Sequence, residues 1–158
     1  MALLFYATVY KPERAQAEIQ VLLRQMGARR ITMEYEGPHT PIPSGMGFSL
    51  ATPQGERDFV LPVRVDRVLD TLKRQGVLRG AGHRVDPIVQ REHATAVAWR
   101  TLLEWVKVQA AIAETKQAAP DEIMLPYLLL PGQRPGETST LYEQFSADHA
   151  LTAGNARG

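Results

Sequence analysis

The sequence predicts an α+β fold: an antiparallel sheet of three or four strands, a helix packed on it, and a helical C-terminal half. Two patterns carry that expectation. Apolar residues alternate with polar ones in short segments of the first 63 positions, and recur every third or fourth position from 13 to 27 and again beyond 87. In addition, GMGFSLA and RDFVLPV are separated by the turn TPQG alone, which makes them an antiparallel hairpin.

Each element follows from its own residues. Residues 2 to 10 read as a strand, with Leu3, Phe5, Ala7 and Val9 on one face and Leu4, Tyr6, Thr8 and Tyr10 on the other. KPERAQAEIQVLLRQMG reads as a helix. Pro12 suits its first turn, Glu13 sits at the positive end of the helix dipole, and Gly27 suits the stop. Ala15, Ile19, Leu22, Leu23 and Met26 form its apolar stripe. RRITMEYEG alternates through Ile31, Met33 and Tyr35 as a strand. GPHTPIPSG is a loop, because its prolines cannot donate to a ladder. Met46, Phe48 and Leu50 then face one side of a strand. Pro53 and Gly55 fit the second and fourth positions of a turn, and Phe59, Leu61 and Val63 return on the same face.

VRVDRVLDTLKRQG is a second helix, with Val65, Val68, Leu69 and Leu72 as its stripe and Gly76 as its stop. LRGAGHR is a flexible basic link. Asp86 and Pro87 open a long helix expected over residues 87 to 118, about 48 Å at 1.5 Å per residue. Its middle is apolar around more than one face, through Trp99, Leu102, Leu103, Trp105, Val106 and Val108. Such girth is covered either by several elements or by another subunit. We therefore expect Trp99, Leu103, Trp105, Val106, Ile112 and Tyr127 at an oligomer or partner interface. Pro120, Asp121 and Glu122 start a short helix. MLPYLLLPG, the most apolar run, reads as a plug packing onto the long helix, with a docking surface as the alternative. STLYEQF is a final short helix and HALTAGNARG a frayed tail. The organisation expected is a sheet domain over 1–85, a helical region over 86–148 packed on it as one globular unit, and a tail over 149–158.

Composition removes several chemistries. The 158 residues and 17.6 kDa suit one domain with a real core. There are no cysteines, so disulfides, thiolate metal sites and cysteine nucleophiles are excluded. The N-terminus lacks the basic region and long apolar stretch of a signal peptide, and no run reaches the roughly 20 residues needed to span a bilayer, so a cytoplasmic protein is expected. His39, His83, His93 and His149 are scattered without paired ligand spacing. Asp66 and Asp70 share a helix face, but Lys73 and Arg74 follow closely, which favours a salt-bridged solvated face over a metal site. Ser44 in PSGMG lacks the setting of a nucleophile elbow, and RGAGHR matches no phosphate-loop pattern. No enzyme, cofactor or metal is expected.

Charge is more informative. Residues 57 to 91 hold eight bases against four acids (Asp58, Asp66, Asp70 and Asp86), a balance of +4. The bases are Arg57, Arg64, Arg67, Lys73, Arg74, Arg79, Arg84 and Arg91. Residues 114 to 148 hold six acids against Lys116 and Arg134, a balance of −4. One reading is two faces that neutralise each other across a subunit contact. The other is a phosphate-binding stripe built from Arg57, Arg64, Arg67, Lys73, Arg74, Arg79 and Arg84, since arginine suits planar bidentate phosphate contact. Tyr6 and Tyr10 would add base stacking if the outer strand face were open.

WRTLLEWVKVQAAIAETKQAAPDEIMLPYLLLPG resembles the C-terminal half of a family of uncharacterised small proteins encoded by bacteriophages, prophages and other mobile elements. Trp99 and Arg100 opening a long helix, an acidic turn, and LPYLLLPG carry the likeness; AEIQVLLRQMGA and GFSLATPQGERDFVLPV extend it from about residue 13 to 145. Family members tend to lie among replication and recombination genes, and the resemblance transfers no functional residues. The element order is also similar to double-stranded RNA-binding and single-strand annealing cores, an analogy of fold. The function expected is that of a phage or mobile-element accessory protein binding DNA, single strands before duplex, as a homo-oligomer in replication or recombination. The alternative is a protein-interaction module docking onto a host or phage protein through its apolar C-terminal region.

Overall fold

The computed structural model describes residue 8 and residues 10–76, 79–80, 83–84 and 86–155; the side chains of 79–80, 83–84 and 149–155 lie outside the description. The strand expected over residues 2 to 10 falls almost wholly outside these residues, and Thr8 and Tyr10 are in no strand. The class is α+β. Helix α1 (Pro12–Gln25) leads into an antiparallel sheet of order β1-β2-β3, formed by Arg29–Tyr35, Pro43–Thr52 and Gly55–Pro62. Helix α2 (Val65–Arg74) and two-residue strands β4 (Arg79–Gly80) and β5 (His83–Arg84) precede the long α3 (Pro87–Glu114). The chain closes with α4 (Pro120–Met124), a 3₁₀ turn (Leu125–Tyr127), β6 (Leu129–Pro131), β7 (Thr138–Thr140) and α5 (Leu141–Asn155).

The sheet's faces follow the alternation in its sequence. Phe48 pairs with Phe59 and Met46 with Leu61, so all four side chains lie on the buried face. The two phenyl rings stack, 5.7 Å between centroids. The other face carries Thr32, Glu34, Ser49, Glu56 and Asp58, with Arg30 bridging Glu56 and Asp58. Arg30 sits at a register shift with φ of 48°, a bulge that turns its guanidinium toward these acids. Pro43 starts β2 inside the segment expected as a loop; a proline is tolerated at a strand's first residue, where the ladder does not yet need its N–H.

Helix α3 is the hub. Asp86 caps it by accepting from the Ile88 N–H at 2.7 Å. It ends four residues short of the expected 118, because the Thr115 hydroxyl bonds back to the Ala111 carbonyl and Lys116 takes the left-handed conformation with φ of 58°. Helices α1 and α2 both pack on it, and α4 contacts it. Trp99, Leu103 and Val106, expected at an oligomer or partner interface, are instead fully buried inside this single chain. The cause is plain: the girth that exceeds what a sheet can cover is covered by α1, α2 and α4. Ile112 is half-buried near the helix end.

Three further differences are local. LRGAGHR, expected as a flexible link, places Arg79 opposite Arg84 in a minimal hairpin. MLPYLLLPG buries Met124, turns at Leu125–Tyr127, and then runs beside β3 through a bridge between Phe59 and Leu128. The helix expected over STLYEQF continues to Asn155, through the residues read as a frayed tail.

Tyr10 closes the seam between α1 and α3. The guanidinium groups of Arg14 and Arg100 both lie over its ring, at 4.4 and 4.3 Å from the centroid, and its hydroxyl donates to Glu18. Two guanidinium groups already lie over this ring, so a stacking base would have to displace them; Tyr6 is outside the described residues. The hydroxyl hydrogen bond holds the Glu18 carboxyl below its usual range, and the same bond raises the Tyr10 phenol above 10.0.

These surroundings make two changes informative. A methyl group added at Gly45 would lie 2.6 Å from the Leu61 carbonyl oxygen, which is backbone, whereas one at Gly47 meets the side chains of Glu34 and Thr32. Gly45→Ala should therefore cost roughly 1–3 kcal/mol in urea unfolding, and Gly47→Ala clearly less. For the Tyr10 hydrogen bond, the lowered Glu18 value means its stabilisation is complete above the ordinary carboxylate range and disappears as pH falls through the lowered value. The raised Tyr10 value means its share is complete below about 10 and disappears as pH rises through the raised value. The stability gap between wild type and Tyr10→Phe should thus be widest near neutral pH and narrow at both extremes. A gap independent of pH would show that the bond does not form.

Candidate functional site

Helix α2 brings charge to a place the core leaves open. Val65 and Leu72 turn inward, so Arg67 and Arg74, seven residues apart, share one exposed flank with Arg64 three residues before Arg67. Lys73 lies about 100° further round the helix, on a different flank. Arg57 is seven residues up the chain on β3, roughly 20 Å away along the strand, where its Nη1 donates to the Glu56 carbonyl at 3.0 Å. Arg79 and Arg84 face each other in backbone register, their side chains outside the description. The expected stripe of seven bases is therefore not continuous, and Arg64, Arg67 and Arg74 are the described members that stand together.

Beside that flank runs a groove of about 370 Å³ between α2, α3, the end of β3 and the 3₁₀ turn. Leu61, Val68, Ala98, Leu102, Trp105 and Tyr127 supply its walls, and Arg64 and Arg67 its rim. Trp105 and Tyr127 meet edge to face, 5.9 Å between centroids and 83° between planes. These two, expected at an interface, are half-buried and border the open groove, unlike Trp99, Leu103 and Val106. Ala98, Thr101, Leu102 and Trp105 recur at helical spacing, a flank of α3 that is visible in the sequence. Which side of the helix stays uncovered is not.

Arg64 and Arg67 also border a second, more polar pocket of about 260 Å³, lined by Glu36, Thr40, Ser44, Asp66 and Arg91 among others. Here Arg91 bonds Asp66 at 2.7 Å, joining α3 to α2. The pairing expected within α2, between Asp70 and Lys73 or Arg74, does not occur among the described residues; Arg74 donates instead to the Thr71 hydroxyl at 3.2 Å. The guanidinium groups of Arg64 and Arg67 make no ion pair or hydrogen bond among the described residues, although the Arg64 carbonyl accepts from the Val68 N–H and the Arg67 carbonyl from the Thr71 hydroxyl. Both guanidinium groups thus keep their full donor capacity at the boundary of an aromatic groove and a polar pocket. Ser44 contributes its carbonyl to the Val63 N–H at 2.7 Å, a structural role. Among the described residues no group of three or more His, Asp or Glu side chains gathers as a metal site, and no helix is long and apolar enough to cross a membrane.

The two tryptophans separate the core from this groove experimentally. Trp99 is fully buried and Trp105 is half-exposed. Acrylamide should quench emission from Trp99→Phe, which retains Trp105, far more than emission from Trp105→Phe. Equal quenching of the two variants would mean that the groove is closed.

The chain matches no protein-family model, no curated protein and no solved structure. Its function is therefore read from the groove itself.

Proposed function

We propose that the protein binds single-stranded nucleic acid through the arginine-rimmed groove, without catalysing a reaction on it. One observation carries this reading: two guanidinium groups without partners among the described residues stand at the mouth of a groove walled by Trp105 and Tyr127. A single strand presents both a stackable base and a phosphate at each step, and a groove offering aromatic surface beside guanidinium groups matches both. A duplex hides its bases, so the aromatic wall would go unused. Single-stranded DNA is the ligand we favour, and the likeness to small phage and prophage proteins supports a role in replication or recombination inside a bacterial cytoplasm. Sheet-face recognition is disfavoured, because the open face of the sheet presents Glu34, Glu56 and Asp58 to an incoming phosphate.

Fluorescence anisotropy of a labelled oligothymidine at several salt concentrations tests the proposal. Binding should weaken with salt, and Arg64→Ala with Arg67→Ala should flatten the salt dependence by roughly 0.7 log units per log unit for each phosphate no longer neutralised. Trp105→Ala should weaken binding by about 1–3 kcal/mol with little change in that slope. No binding by the wild type at about 50 mM salt would sink the proposal and favour a partner protein's apolar segment as the occupant of the groove.

A further inference from the structure

Arg64 and Arg67 do not belong to the aromatic groove alone. With Val63 they also line the polar pocket of about 260 Å³, so groove and pocket meet along one shared edge. The two spaces differ in chemistry. The groove offers apolar and aromatic surface, through Leu61, Leu102, Trp105 and Tyr127. The pocket offers charge, with Arg91 joining Arg64 and Arg67, and Asp66 and Glu36 as its acids. Asp66 is bonded to Arg91 at 2.7 Å, so those two charges offset each other. That leaves the two guanidinium groups of the shared edge opposed by Glu36 alone. Helix α2 also starts here, with Val65, Asp66 and Arg67 of its first turn in the lining and no side chain capping it. Glu36, Thr40 and Ser44 line the pocket but not the groove, so the connection between β1 and β2 forms the wall away from the groove. The Thr40 hydroxyl donates to the Glu36 carbonyl and folds that connection back on itself.

We propose that this pocket receives the terminal phosphate of a strand whose adjoining base lies against Trp105, so that the protein engages strand ends in preference to strand interiors. The inference rests on the strand-binding reading and names the part of the strand that is bound. A terminal phosphate is a monoester with a charge of about −1.5 to −2 and three strong acceptor oxygens, more than an internal phosphodiester carries. Arg64 and Arg67 meet such a group with planar, forked donors that no side chain of the described residues already uses. An internal phosphate could also lie on these two arginines, but it would leave the pocket beyond them unfilled. A strand continuing through the pocket would carry its next phosphate against the Glu36 carboxylate and the β1–β2 connection, where like charges repel. The wall that closes the pocket therefore favours a strand that stops there. The recognition chemistry is common to 5′ and 3′ phosphates.

The test uses the full-length chain and four forms of one internally labelled oligothymidine: 5′-phosphorylated, 3′-phosphorylated, with hydroxyl groups at both ends, and circular. At least one phosphorylated form should bind roughly tenfold more tightly than the hydroxyl-ended strand in fluorescence anisotropy, and the circle should bind most weakly. Comparison of the two phosphorylated forms identifies which end is held. Two exposed positions of the pocket wall then change its charge in opposite directions. Thr40→Glu should bring the ratio of phosphorylated to hydroxyl-ended affinity toward one, and Glu36→Gln should enlarge it. Trp105→Ala should weaken both linear forms by the same factor and leave that ratio as it was, since the base and not the phosphate lies there. Circular dichroism of each variant should match the wild type. Equal affinity for all four forms, a circle bound as tightly as the phosphorylated strand, or a phosphate preference that neither charge substitution moves would each overturn the proposal and leave the strand-binding reading standing. No binding of any form at about 50 mM salt would remove the strand-binding reading, and this inference with it.

Discussion

Burial of the middle of α3 is the constraint on which the rest of this structure depends. Trp99, Leu103 and Val106, spaced at i, i+4 and i+7, share one face of the helix, and each must leave water. Helix α1 brings Ala15, Ile19 and Leu23, α2 brings Val65 and Leu72, and the sheet brings Met46, Phe48, Phe59 and Leu61, all in one core cluster with α3. The indole N–H of Trp99 finds no acceptor among the described residues, a polar atom left unsatisfied in that packing. Its cost, on the order of 1–3 kcal/mol, is small beside the apolar area the ring removes from water.

The groove is the remainder of this arrangement. Helices α1 and α2 cover two flanks of α3, and the 3₁₀ turn at Leu125–Tyr127 reaches Trp105 without filling the space before α2. Arg64 stands where the chain leaves the sheet for α2, so its position is set by the backbone at that junction. An arginine there cannot turn inward past Val63 and Val65, which are buried on either side. Its guanidinium is held at the groove mouth, and Arg67 joins it one turn later. The neighbouring acid, Asp66, is drawn away to Arg91. That pairing is what leaves the two rim arginines uncompensated.

Some charges elsewhere are paired locally. Arg30 is tied to Glu56 and Asp58 on the open sheet face, and Arg100 to Glu104 and the Tyr10 ring along the α1–α3 seam. Exposed pairs of this kind add little stability, but they withdraw their cations from any ligand. At the start of α2, by contrast, Arg64 and Arg67 stand together without an ion pair among the described residues.

Much of the fold was determined by the sequence alone, because period and punctuation are local properties. Alternation at Met46–Leu50 and Phe59–Val63, the turn at Pro53–Gly55, the stripe of α1 and the Asp86–Pro87 start of α3 each act within a few residues of themselves. Helix ends were less legible: α3 stops where Thr115 and Lys116 reverse the chain, and Pro43 enters β2, choices made by neighbouring backbone. The candidate site was legible only as two separate sets of residues, one basic and one apolar. Tertiary structure alone decided that Trp99, Leu103 and Val106 go inside while Trp105 and Tyr127 line a groove. It also decided that Arg64 and Arg67, rather than Arg57, stand at its rim. The physical reason is that apolar periodicity reports which side of a helix wants burial, whereas the packing of other elements, distant in sequence, decides which of those sides is left uncovered.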